Sequence, residues 1–129
     1  MIHNLYVFDE NGLPLLTIKL GSIEADGALL TGFLSAMQSF SKKISQGDVE
    51  EINFKDFNFH IRSLGSLYVA LVADKTDHDI AFRLAEVSSI VEKHKDSLSD
   101  NAVQTDIKNA ITKKVGIRDR AKDWANIGL

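Results

Sequence analysis

The run Leu67–Ala73, LYVALVA, has no polar break. Successive side chains of an extended strand point to opposite faces of its sheet, so a strand with this text presents apolar surface on both sides. It belongs in the middle of a sheet and needs a covering layer above and below. Most chains of 129 residues form one domain, and 44% hydrophobic residues are enough to build one such three-layer core. The zero cysteine count removes disulfides, thiolate nucleophiles and Cys-ligated zinc, so burial alone has to hold the fold.

The rest of the text supplies the neighbours that this strand requires. Ile2–Asp9 carries apolar residues on both faces, and Leu13–Leu20 is a second apolar run. Asn11-Gly12 between them is a strong hairpin signal, with Pro14 restricted to the strand's start or to an edge. From about Ser22 to Ile44 the period becomes helical, with Leu30, Phe33, Leu34, Met37 and Ile44 on one stripe that Leu29, Ala36 and Phe40 widen. This pattern predicts a deeply buried helix, with Glu24 and Asp26 in its first turn and Lys42 and Lys43 near its end, as the helix dipole favours.

Three strands in quick succession are expected at Val49–Phe54, Phe57–Ser63 and Leu67–Asp74, an antiparallel meander with Lys55-Asp56 and Leu64-Gly65-Ser66 as tight connections. Thr76-Asp77-His78-Asp79 resembles a capping box and predicts a helix with Ile80, Leu84, Val87 and Val91 on one face. A third helix, about Asp100 to Val115, would bury Val103, Ile107, Ala110 and Ile111. The predicted class is α+β: a five-stranded antiparallel sheet in the order β-β-α-β-β-β-α-α, with helices on both faces.

NLYVFDENGLPL, LLTGFLSAMQSFSKKI and INFKDFNFHIRSLGSLYVALVADK resemble the opening hairpin, first helix and three-strand meander of the longin and roadblock domains, over about residues 1 to 115. No helix precedes the first strand, which favours longin over roadblock. The resemblance implies a longin-like domain over residues 1–116 with a C-terminal tail at 117–129. It also implies a non-catalytic scaffold that forms a homo- or heterodimer with a related longin or roadblock subunit and engages a small GTPase or a trafficking or signalling complex. The patterns that carry it are patterns of burial, so they bear on fold more than on function. Only RDRAKDWANIGL follows the third helix, where longin domains of vesicle-fusion proteins continue into a heptad-bearing segment.

The charge balance of 15 basic to 18 acidic residues, with no long Lys/Arg stretch, argues against nucleic acid as a partner. The start MIHNLYVFDENG has neither a basic n-region nor a long apolar h-region, and no stretch approaches the roughly 20 apolar residues of a membrane span, so a cytoplasmic location is expected. His3, His60, His78 and His94 never fall at the i, i+4 spacing of a helical metal pair, and no metal or other cofactor is expected. Asp77-His78-Asp79 reads as a helix start rather than a carboxylate–histidine pair. The signatures of a hydrolase nucleophile elbow and of a phosphate-binding loop are absent, so enzyme activity is not expected.

Two segments are candidates for contact with other molecules. The stripe of the first helix is wider than the face needed to cover a sheet, so Leu30, Phe33, Leu34 and Met37 are either ordinary core or a partner-binding surface. In the tail, Ile117, Ala121 and Trp124 recur at helical spacing beneath Arg118, Arg120 and Lys122. That pattern fits peripheral contact with an anionic membrane, docking on a subunit, or a clasp on the chain's own domain. Two other functional classes remain open at this stage: a small-molecule sensor with a ligand between sheet and helices, and a membrane-surface adaptor that works through the tail.

Overall fold

The computed structural model describes residues 1–21, 27–45 and 47–112. The elements follow in the order β1 (Ile2–Asp9), β2 (Pro14–Lys19), α1 (Gly27–Ser45), β3 (Glu51–Asn53), β4 (Phe57–Ser63), β5 (Leu67–Asp74), α2 (Ile80–Lys93) and α3 (Asn101–Thr112). The strands form one sheet in the order β2-β1-β5-β4-β3, and every neighbouring pair is antiparallel. The unbroken apolar strand β5 lies at the centre, as its sequence demands.

Two glycine turns set the hairpins. At the first, Gly12 adopts φ +82° and its N–H donates to the Asp9 carbonyl at 3.0 Å, while the Asp9 carboxylate accepts the N–H groups of Asn11 and Leu13 at 2.9 Å each. At the second, Gly65 adopts φ +81° and the Leu64 N–H donates to the Leu67 carbonyl at 2.7 Å. Both conformations lie in the left-handed region that glycine occupies without a Cβ penalty.

Alternation along β5 divides the core into two layers. Leu67, Val69, Leu71 and Ala73 face one side and pack with Leu5 and Val7 of β1. Val87 and Val91 of α2 and Val103, Ile107 and Ile111 of α3 close that side. Tyr68, Ala70 and Val72 face the other side with Tyr6, Phe8, Phe59 and Ile61, where Leu34 of α1 covers them. The rings of Phe8 and Tyr68 stack there at 5.3 Å. Each fully buried aliphatic or aromatic side chain contributes roughly 1.5–3 kcal/mol of transfer free energy, so the two layers supply the burial that a disulfide-free chain needs.

The structure corrects three local expectations. The strand expected over 49–54 shortens to β3 because Val49 is drawn out of the ladder: its N–H donates to Gln38 Oε1 and its carbonyl accepts from Gln38 Nε2, both at 2.8 Å. The capping box does not form, since α2 starts at Ile80 with Asp79 as its N-cap and no side-chain capping bond, while the Asp77 carboxylate accepts the Asp79 N–H at 3.2 Å. The first helix is not deeply buried. Its buried residues are Thr31, Leu34, Ser35 and Gln38, three of them polar. Glu24 and Asp26, expected in its first turn, lie outside the described residues.

Candidate interaction surface

The polar residues on the inner face of α1 are each matched to a backbone group with no other role in the sheet. Thr31 Oγ1 donates to the Gly12 carbonyl at 2.7 Å and Ser35 Oγ to the Glu10 carbonyl at 2.6 Å, pinning the helix to the β1–β2 turn. That approach is close: a Cβ at Gly12 would lie 2.9 Å from the Gly32 Cα and 3.1 Å from the Thr31 carbonyl oxygen. Gln38 ties the other half of the helix to Val49 by its two bonds. Buried polar groups are tolerated when their hydrogen bonds are made, so this face of α1 is stable without a continuous apolar stripe.

Much of the apolar surface of α1 is consequently turned outward. Leu29, Phe33, Phe40 and Ile44 are 75%, 46%, 59% and 69% exposed. At 100° per residue positions 29, 33, 37, 40 and 44 fall within an arc of roughly 80°, one continuous stripe along about four turns. Of the residues read from the sequence as a partner surface, Phe33 is presented on this stripe and Met37, half-buried, borders it. Leu30 packs partly against the α1 side of the core and Leu34 is fully buried in it. Periodicity detects a stripe but not which layer it meets, and Leu29, Phe40 and Ile44 are the residues it undervalued.

Charge borders the stripe at the end of the helix. Lys42 Nζ donates to the Tyr68 hydroxyl at 3.0 Å and lies 3.7 Å from the Asp48 carboxylate. The bond to Tyr68, helped by Asp48 and Glu10, holds this ammonium above the ordinary lysine pKa. On the same side of the sheet Phe54, 38% exposed, joins Phe57 and Phe59 in an aromatic cluster with ring centroids 5.2–5.9 Å apart.

Across the sheet, a groove of about 830 Å³ runs between the β3–β4 hairpin and the start of α2. Asp48, Glu50, Glu51 and Asp77 line it together with His60, His78 and Arg62, and Ile80, Ala81 and Leu84 form its apolar wall. The sequence reading did not anticipate this groove, because its residues come from three separate segments. The tail residues Ile117, Arg118, Arg120, Lys122 and Trp124 lie outside the described residues. Among the described residues no group of three or more His, Cys, Asp or Glu side chains is placed to hold a metal, and no helix is long and apolar enough to cross a membrane.

This is the roadblock/longin fold: the strand order, the antiparallel pairing and the division of helices between the two faces define it. Solved structures with the same fold include the Roadblock/LC7 domain from Streptomyces avermitilis, with TM-score 0.60 and 12% identity over 73% of this chain and 85% of that one. Myxococcus xanthus MglB matches with TM-score 0.59 and 15% identity over 75% of this chain and 85% of its own. A chain in a homology model of the full-length AP-3 complex in a stretched open conformation matches with TM-score 0.61 and 14% identity, over 98% of this chain and 94% of that one. No protein-family model matches the sequence, and no curated protein resembles it.

Proposed function

We propose that the protein is a non-catalytic interaction scaffold that pairs through the outer stripe of α1, with a second copy or a related longin or roadblock subunit, and engages a small GTPase or a trafficking or signalling complex. The observation that carries this reading is the inversion of α1, which buries Thr31, Ser35 and Gln38 while leaving Leu29, Phe33, Phe40 and Ile44 outside. Contiguous apolar and aromatic surface on a helix is the composition of an interface core. The fold shared with a Roadblock/LC7 domain, with MglB and with a chain of the AP-3 complex supports a scaffold over a catalyst, and so does the lack of a phosphate-cradling loop in the sequence.

The test pairs association with stability. Phe33→Asp combined with Phe40→Asp should leave the far-UV spectrum and thermal midpoint of the dilute protein nearly unchanged while abolishing self-association in sedimentation, since a charge in the centre of an apolar contact is unpaired there. Capture on small GTPases loaded with GDP or a GTP analogue should likewise be lost in the double variant. A wild type that is monomeric at all concentrations and captured by neither form would sink the proposal.

A further inference from the structure

We infer that α1 is a detachable cover, which lifts from the sheet as a unit while the sheet, α2 and α3 stay folded. The inference starts from what each helix gives up on leaving. Lifting α1 breaks the bonds from Thr31 to the Gly12 carbonyl, from Ser35 to the Glu10 carbonyl, between Gln38 and Val49, and from Lys42 to the Tyr68 hydroxyl. Each of these groups can turn to water instead, which is why an intramolecular hydrogen bond contributes little net stability. Leu34 is the one buried apolar side chain that the helix withdraws, with half-buried Leu30 and Met37 beside it. The floor beneath also packs on itself. Phe8 stacks on Tyr68 at 5.3 Å, Phe57 and Phe59 join Phe54 at 5.2–5.9 Å, and Asn4 Nδ2 donates to the Tyr6 hydroxyl at 2.6 Å.

The opposite face has no such alternative. There α2 and α3 would withdraw Val87, Val91, Val103, Ile107, Ala110 and Ile111, all buried. Water does not replace apolar contacts, and their loss scales with the area exposed. Stability is distributed over units of this kind, and those with the fewest buried apolar contacts open at the lowest free energy. Polar tethers and a single deep anchor put α1 at that end of the scale. The lifted state bares Tyr6, Phe8, Phe59 and Tyr68, a floor of aromatic rings that is buried when the cover is closed. Lifting does not depend on the pairing proposed above; a partner on the outer stripe shifts its population only.

The chain has no cysteine, so one introduced thiol reports on one place. Val69 and Ala70 are neighbours on β5 and both are fully buried, Ala70 in the layer of Leu34 and Val69 in the layer beneath α2 and α3. Thiol labelling of Ala70→Cys and of Val69→Cys in the dilute full chain, at reagent levels where the rate is proportional to reagent, measures how often each face opens. Ala70→Cys should label faster and with the weaker urea dependence, because lifting one helix exposes less surface than unfolding. Gln38→Leu should speed the labelling of Ala70→Cys about tenfold, the equivalent of one or two lost hydrogen bonds.

Ile107→Ala is the decisive variant, because α3 is packed in both the closed and the lifted state. It should speed the labelling of Val69→Cys and leave that of Ala70→Cys unchanged. The inference is overturned if Ile107→Ala speeds both sites equally, since α1 would then leave only when the whole chain unfolds. Equal rates at the two sites, or no response of Ala70→Cys to Gln38→Leu, overturn it as well. Hydrogen exchange of the unsubstituted protein repeats the comparison without an introduced thiol: interior amides of α1 should exchange ahead of those of α3, and equal protection of the two helices counts against the cover in the same way.

Discussion

The two faces of the sheet are closed by helices that follow opposite rules. On one face α2 and α3 bury Val87, Val91, Val103, Ile107 and Ile111, and the apolar period of each helix points at the sheet. On the other, α1 is held by hydrogen bonds from Thr31, Ser35 and Gln38 with Leu34 as its one fully buried apolar anchor, and its apolar period points away. The first arrangement is complete within one chain. The second is stable and leaves an exposed apolar stripe, the surface that the proposed pairing would bury.

The contrast is broken most readily at Ile107, which is fully buried between α2, α3 and the sheet. Ile107→Ala should cost about 2–5 kcal/mol through lost transfer energy and the cavity left behind, measured by urea unfolding. On the α1 side, Gln38→Leu keeps the volume but leaves the Val49 N–H and carbonyl without their partner. The expected loss is about 1–3 kcal/mol. A neutral result there would mean that the hydrogen bonds do not hold α1 and that its position rests on Leu34.

How much of this was legible beforehand differs by face for the same reason. The limits of β1, β4 and β5 and the buried residues of α3 follow from apolar alternation and period, because on those elements hydrophobicity and burial coincide. For α1 they do not coincide: a helical period around Leu29, Phe33, Met37, Phe40 and Ile44 announces a helix but is silent on whether sheet or solvent meets it. The signal for the inner face was the set Thr31, Ser35, Gln38, whose i, i+4 and i, i+3 spacing places three donors in line. It becomes readable only once the carbonyls of Glu10, Gly12 and Val49 are known to lie opposite. The acidic groove was hidden because Asp48–Glu51, His60–Ser63 and Asp77–Leu84 meet only through the meander and the placement of α2.

Phe40→Ala should be the mildest packing change, within roughly 0.5 kcal/mol for the dilute protein, because the ring is largely exposed. It sharpens the comparison through concentration dependence. If the outer stripe is buried in a dimer, the wild-type thermal midpoint rises with protein concentration and that of Phe40→Ala rises less, since association stabilises only the folded state that binds. Parallel rises in both would place the contact elsewhere.

The smallest effect separates neutral tethers from charged ones and uses pH. Thr31, Ser35 and Gln38 carry no titratable group, so their hold on α1 is the same from neutral pH into acid. Asp74, at the end of β5, instead accepts a 2.7 Å hydrogen bond from His3 Nε2 and lies 3.4 Å from the Met1 ammonium. The bond from His3, with the ammonium adding to it, holds the Asp74 carboxyl below the usual aspartate range. A carboxyl whose folded pKa is depressed contributes its full stabilisation above its unfolded value of roughly 3.9, and loses it as pH falls through the folded value. Asp74→Asn should therefore be slightly less stable than the wild type at pH 6 and indistinguishable from it in strong acid, the two curves converging below about pH 4. Because Asp74 is substantially exposed, solvent screening keeps the gap small. Thermal midpoints of both proteins across this range, with Gln38→Leu alongside, decide the matter: Gln38→Leu should keep a constant deficit in acid, and an Asp74→Asn deficit equally constant would show that packing, not charge, fixes the end of β5.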